Sequence, residues 1–152
     1  MSDRPILIAY DGSDYAKAAI EQAAEQLDNG RRAIVLTVWQ PFDAAFAGVG
    51  AAPTGFEEGI EKDARRVADE GARLAREAGF HAEAASERGA PVWQRIVEVA
   101  DERDVGVVVL GSHGRTGIPL VVLGSVAGAV ASHSKRPVLI AHLPVAPPGE
   151  SD

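Results

Sequence analysis

Two short runs limit what this chain can fold into. Ala33-Ile-Val-Leu-Thr-Val-Trp39 is rich in β-branched residues and apolar on both faces, and Val105 to Leu110 is the most apolar run of all. A strand without a polar face must be covered on both sides, and a parallel sheet flanked by helices supplies that cover. Three more strand-like runs accompany these two: Pro5-Ile-Leu-Ile-Ala-Tyr10, His81 to Glu87, and Pro137-Val-Leu-Ile-Ala-His142. The His81–Glu87 run alternates and is polar enough for a sheet edge.

Helical patterns fill the gaps. Ala16, Ile20, Ala23, Ala24 and Leu27 form an apolar stripe on a first helix from Asp14 to about Leu27, with Ser13 as its N-cap and Asn29-Gly30 as its stop. Ile60, Ala64, Val67, Gly71, Leu74 and Ala78 recur at gaps of four and three on a second, with Gly79 at the C′ position. On its solvent face Glu61–Arg65, Asp69–Arg73 and Arg73–Glu77 are spaced to pair. Gly89-Ala90-Pro91 opens a third helix with Pro91 at N1, from which Val92, Ile96, Val99 and Ala100 face inward. Val126 to His133 is a small-residue fourth. Strands alternating with helices predict an α/β fold with a five-stranded parallel sheet, right-handed crossovers and helices on both faces. Gln40–Phe56, rich in Ala, Gly and Pro, reads as a surface excursion. Residues 144–152 read as a disordered tail, leaving 1–143 as a single domain.

Composition removes several functions. At net charge −7 the chain opposes non-specific nucleic-acid binding, which requires clustered Lys and Arg. It has no cysteine, so disulfides, thiolate metal sites and cysteine nucleophiles are excluded. No run approaches the roughly 18–20 apolar residues of a membrane span, and the N-terminus lacks a signal-peptide pattern, so a cytoplasmic location is expected. His81, His133 and His142 lack ligand spacing, and a metal held by the protein alone is not expected. His113, a lone loop histidine without a placed nucleophile, reads as polar surface, and no catalytic residue stands out. Trp39 and Trp93 read as core or interface residues.

The informative stretch follows the last buried run: Gly111-Ser-His-Gly114-Arg115, then Gly124-Ser125-Val126 at the start of a helix. Glycines admit a close approach of the backbone, and a helix N-terminus favours negative charge, so strand, glycine loop and helix start together make a phosphate cradle. Two accessible stretches separated by a nine-residue arm can hold a phosphate chain from two sides. A second turn, Asp11-Gly12-Ser13, ends the first strand, and Asp11 could equally satisfy its own turn or cap the first helix. If both loops serve one ligand, strands one and four are neighbours and the order is 3-2-1-4-5. A 2-1-3-4-5 order would separate them.

Ile8-Ala-Tyr-Asp11-Gly12-Ser13, Gly89-Ala-Pro91 and the Gly-x2-Gly-x9-Gly-Ser pattern of Gly111, Gly114, Gly124 and Ser125 resemble the universal stress protein family over about residues 4 to 142. The complete glycine pattern is similar to that of the family's ATP-binding branch. The resemblance implies an adenine-nucleotide α-hydrolase-like fold that binds ATP, or AMP or ADP, and acts as a nucleotide-dependent stress regulator. It places Ala9 and Asp11 near the adenosine and Val38 at the adenine. Leu110 and Gly111 would lie against the nucleoside, while Gly114, Arg115, Gly124, Ser125 and Val126 surround the phosphates. Any Mg²⁺ or Mn²⁺ would be held mainly by phosphate oxygens. It also implies a homodimer paired along strand five, Val138, Leu139, Ile140 and Ala141, an edge that is short and apolar. The alternatives are a slow ATPase or adenine-nucleotide hydrolase, and a dimeric signalling module without nucleotide. A phospho-acceptor domain using Asp11 and Asp14 is disfavoured, because strand five ends in His142 rather than Lys.

Overall fold

The computed structural model describes residues 3–41, 55–114 and 123–143. Its elements are β1 (Ile6–Ala9), α1 (Asp14–Gln26), β2 (Arg32–Trp39), α2 (Phe56–Glu77), β3 (His81–Arg88), α3 (Val92–Glu102), β4 (Val107–Gly111), α4 (Ser125–His133) and β5 (Val138–Ala141). The five strands form one parallel sheet in the order β3-β2-β1-β4-β5, with β1 paired to both β2 and β4. The two apolar runs, β2 and β4, are interior strands and the alternating β3 lies at an edge, while the equally apolar β5 forms the other edge. The tail from 144 and most of the Gln40–Phe56 excursion lie outside the described residues.

The alternation of strand side chains divides the core in two. On one face Ile6, Ile8, Val35 and Val109 meet Ala19, Ile20 and Ala23 of α1 and Ala72 and Ala75 of α2. On the other, Leu7, Leu36, Val108 and Leu110 meet Ile96 and Val99 of α3 and Ala127 and Val130 of α4. Full burial of each such aliphatic side chain contributes about 1.5–3 kcal/mol, so both layers are needed to offset the ordering of the chain.

Local signals explain most element ends. The Ser13 hydroxyl accepts the Ala16 N–H at 3.1 Å and starts α1. The end of α2 is a Schellman motif: Phe80 N–H bonds Ala75 C=O and Gly79 N–H bonds Arg76 C=O, each at 3.0 Å, with Gly79 at φ 111°. Pro91 differs from the expected N1 position. It is the N-cap of α3 with ψ 159°, and the helix begins at Val92. β4 also starts later than the apolar run, since Gly106 N–H bonds Pro5 C=O and Val105 N–H bonds Ala100 C=O before the ladder begins. On α2, Arg73 pairs with Glu77 at 3.0 Å and not with Asp69, while Arg65 pairs with Glu61 at 3.4 Å.

Tyr10 joins the layers. Its N–H bonds Leu36 C=O at 2.8 Å, its C=O accepts the buried Thr37 hydroxyl at 2.8 Å, and its phenol donates to Glu70 on α2 at 2.6 Å. Burial first, and then the Glu70 carboxylate, push the phenol well above its ordinary range and keep it neutral. α2 lies close over this ring because Gly71 has no side chain. A Cβ there would stand 2.6 Å from Tyr10 Cδ2 and 2.7 Å from Val35 Cγ1.

Two glycines of α2 should therefore respond oppositely to alanine. Gly71→Ala should destabilise the protein by about 1–3 kcal/mol through overpacking. Gly59→Ala, where nothing lies within 4 Å of the new methyl group, should stabilise it by about 0.5–1 kcal/mol through helix propensity. Urea unfolding of both variants checks the pair.

Candidate functional site

The carboxyl ends of β1, β2 and β4 open into a cleft of about 420 Å³. That volume lies within the range of about 300–1,000 Å³ usual for small-molecule sites. The cleft sits between β1 and β4, where the chain reverses its direction of travel across the sheet, the usual ligand position in an open α/β fold. Nine residues singled out in the sequence line it: Ala9, Asp11, Val38, Leu110, Gly111, Gly114, Gly124, Ser125 and Val126. They come from three strand ends, two loops and the first turn of α4. Arg115 lies outside the described residues.

One wall is apolar. Leu36, Val38 and Leu110 from the sheet face Val92 and Ile96 from α3. Val92 and Ile96 are recognisable in the sequence only as inward-facing positions of α3. Nothing in their spacing separates a cleft wall from a core contact, and the sole clue is that Gly89-Ala-Pro91 starts α3 beside the strand ends. The opposite end is polar and consists largely of main chain. α4 begins at Gly124, which provides no side-chain cap, so the first-turn N–H groups at Ser125, Val126 and Ala127 depend on other partners. An uncapped helix start carries partial positive charge, and an anion stabilises it.

The three motif glycines are close-approach residues, and none has positive φ. A Cβ on Gly111 would stand 2.7 Å from Tyr15 Cβ and 2.8 Å from the Tyr15 carbonyl, so α1 can rest against the end of β4 only if this position is bare. One on Gly124 would meet Ser112 O at 3.0 Å and His113 Cα at 3.2 Å, and Gly124 N–H bonds Ser112 O at 2.7 Å. On Gly114 it would stand 2.9 Å from Asp11 Oδ2. Asp11 combines the two roles its sequence position allowed: Oδ1 accepts the Ser13 N–H at 2.9 Å, closing the turn before α1, while Oδ2 faces the glycine loop.

His113 differs from the polar-surface expectation. It is half-buried in the cleft lining, with Nδ1 3.0 Å from the Ser112 hydroxyl and its ring 5.0 Å from that of Tyr15. The Ser112 side chain is buried and supports the imidazole, which alone of the two lines the cleft. Trp93 stacks on His133 with centroids 4.3 Å apart, joining α3 to the end of α4 away from the cleft. Among the described residues, no group of three or more His, Asp or Glu side chains is arranged to hold a metal ion, and no helix is long and apolar enough to cross a membrane.

With this geometry in view, the relatives of the chain are informative. The model of the universal stress protein family matches residues 3–142. The chain belongs to that family. It is 32% identical over 149 residues to the universal stress protein YxiE of Bacillus subtilis, a match spanning 89% of this chain and 96% of that one. To the universal stress protein MJ0531 of Methanocaldococcus jannaschii it is 28% identical, over 93% and 83%. Among solved structures it is similar to a universal stress protein in complex with cAMP, with a TM-score of 0.61, 27% identity, and 91% and 96% of the two chains covered. A universal stress protein of Archaeoglobus fulgidus in complex with dAMP gives a TM-score of 0.64 at 25% identity, over 91% and 97%. The backbone is also similar to that of the M. jannaschii protein MJ0577, with a TM-score of 0.79 at 22% identity over 96% and 100%.

The glycines should separate by what their methyl groups meet. Gly124→Ala drives a Cβ into main chain and should lower the midpoint of thermal unfolding by several degrees, about 2–4 °C per kcal/mol for a protein of this size. Gly114→Ala meets only the end of the Asp11 side chain and should leave the midpoint nearly unchanged. Calorimetry on the two variants measures the difference.

Proposed function

We propose that the chain is an ATP-binding universal stress protein, a regulator whose partner choice or shape follows adenine-nucleotide occupancy of the cleft. The observation that carries this reading is the convergence of Gly111, Gly114, Gly124 and Ser125 with Ala9, Asp11 and Val38 around one cleft, apolar at one end and lined by helix-start N–H groups at the other. An adenine ring suits the Val38, Leu110, Val92 and Ile96 end, where Val38 supplies main-chain hydrogen bonds to the base edge. The phosphates suit the α4 start, with the Ser125 hydroxyl as a further donor. The solved relatives in complex with cAMP and dAMP support an adenine nucleotide as ligand class. Arg115, next in sequence to Gly114, adds a cation for the phosphates.

The site grips more than it reacts. Among the described residues its lining includes Asp11 and His113, and the hydroxyl beside His113, that of Ser112, is buried rather than open to the cleft. Mg²⁺ or Mn²⁺ would bind through phosphate oxygens, because the described residues offer no cage of their own. Asp11 Oδ2, beside Gly114, is the protein oxygen best disposed to join it.

Two measurements decide the proposal. Denaturing the purified protein should release an adenine nucleotide identifiable by chromatography, and titration calorimetry on emptied protein should show binding of ATP or AMP. Gly114→Val should displace the Asp11 carboxylate and abolish binding while the circular-dichroism spectrum stays unchanged. An empty protein that also fails to bind added nucleotide overturns the reading. We also propose a homodimer paired along β5, whose outer edge ends the sheet and whose Val138, Leu139 and Ile140 are all partly exposed. Light scattering at micromolar concentration should give twice the chain mass, and a monomer there rules the pairing out.

A further inference from the structure

The arginines of this acidic chain are mostly neutralised. Arg95 pairs with Glu87 and Glu102, Arg136 with Asp101 and Asp104, Arg103 with Glu83, and Arg65, Arg66 and Arg73 of α2 and Arg4 near the chain start have carboxylate partners too. Three are not. Arg31 Nε donates to Arg4 C=O at 3.0 Å, Arg32 Nη2 to Asp3 C=O at 2.9 Å, and Arg76 Nε to Ala82 C=O at 2.9 Å. Among the described residues none of these three has an ion-pair partner. A main-chain carbonyl orients a guanidinium but leaves its charge in place.

Two of the three, Arg32 and Arg76, line one groove. Arg32 and His81 are the first residues of β2 and β3 and pair in register, so they mark the amino ends of the strands, opposite the cleft. A groove of about 800 Å³ opens there, lined by Arg32, Arg76, Arg103 and His81 over an apolar floor that includes Pro5 and Phe80. Among the described residues Glu83 is the one carboxylate lining it, and Arg103 engages it at 3.1 Å. Arg76 also complements the carbonyl end of α2, where a cation is favourable. Arg31 and Arg32 have no such duty. Within the groove lining the cations outnumber the carboxylates, with Arg32, Arg76 and Arg103 against Glu83.

We infer that this groove docks an extended acidic segment of a partner protein, with Asp or Glu carboxylates received by Arg32 and Arg76. A guanidinium presents a planar fork of donors that matches a carboxylate, and those N–H groups not spent on the carbonyls remain to form it. Exposed, solvated arginines hold a single small anion weakly, so several carboxylates on one chain, with apolar contact to the floor, are the ligand this groove favours. The net charge of −7 repels an acidic partner over the rest of the surface and steers it here.

The test is a nuclear magnetic resonance titration of ¹⁵N-labelled full-length protein with a hexaglutamate peptide flanked by Gly-Ser, against a hexaserine control. Saturable amide shifts concentrated at residues 31–34 and 79–83, absent with hexaserine and lost in about 1 M salt, where the Debye length is about 3 Å, are expected. Arg32→Gln with Arg76→Gln should weaken binding roughly tenfold. Arg32→Gln alone, which removes only a bond to Asp3 near the chain start, should weaken it in the same direction and protects the test against misfolding of the double variant. Shifts that are absent, that fall elsewhere, or that inorganic phosphate reproduces at equal affinity overturn the proposal.

Discussion

The cleft exists because α1 can press against the end of β4. That contact is possible only with a bare backbone at Gly111, where a methyl group would fall 2.7 Å from Tyr15 Cβ. Parallel pairing of β1 with β4 sets the two strand ends side by side, and the Gly111–Tyr15 approach draws their following loops together. Asp11 then reaches Gly114, and the Gly124 N–H closes the other side on Ser112 O. Walls from two separate crossovers are brought within reach of one small molecule. The apolar end follows from the same pairing, since β2 on the far side of β1 contributes Leu36 and Val38.

Much of the architecture is legible in the chain because one requirement dominates it. Strands without a polar face must be covered on both faces, so Ala33–Trp39 and Val105–Leu110 point to a sheet between two helix layers, and the alternating His81–Glu87 run points to an edge. The strand order follows only if the Asp11 loop and the Gly111 loop share a ligand, and the parallel pairing of β1 with β4 bears that order out. Element ends are harder to read, because they depend on hydrogen bonds that sequence does not display. Val105 is as apolar as Val107, yet its N–H turns back to Ala100 and it precedes the strand. Pro91 is favoured at N1 by its missing N–H, yet its extended backbone places it one residue earlier, at the N-cap.

The candidate site is legible in its backbone and much less so in its walls. Glycines, Asp11 and the helix start are marked by residue type. Val92 and Ile96 are ordinary inward aliphatics, and only their place in the first turns of α3 turns them toward the cleft. His113 depends on a neighbour for its position: the buried Ser112 hydroxyl and the Tyr15 ring hold an imidazole that would otherwise be loop surface. The uneven pairing of arginines is invisible in composition too, because it depends on which carboxylates the fold brings near.

The glycines of the loop touch their own protein before they touch anything else. Each lacks a side chain because Tyr15, Asp11 or the Ser112–His113 backbone occupies the space. Loss of ligand binding during descent would thus not by itself relax Gly111 and Gly124, which meet main chain, whereas Gly114 meets only the end of the Asp11 side chain. A family member could keep those two glycines long after its ligand had gone, whereas residues with no such packing duty, such as the Ser125 side chain, would be free to drift first. For tracing ancestry, positions without a packing duty would hold more record of binding than the packed glycines.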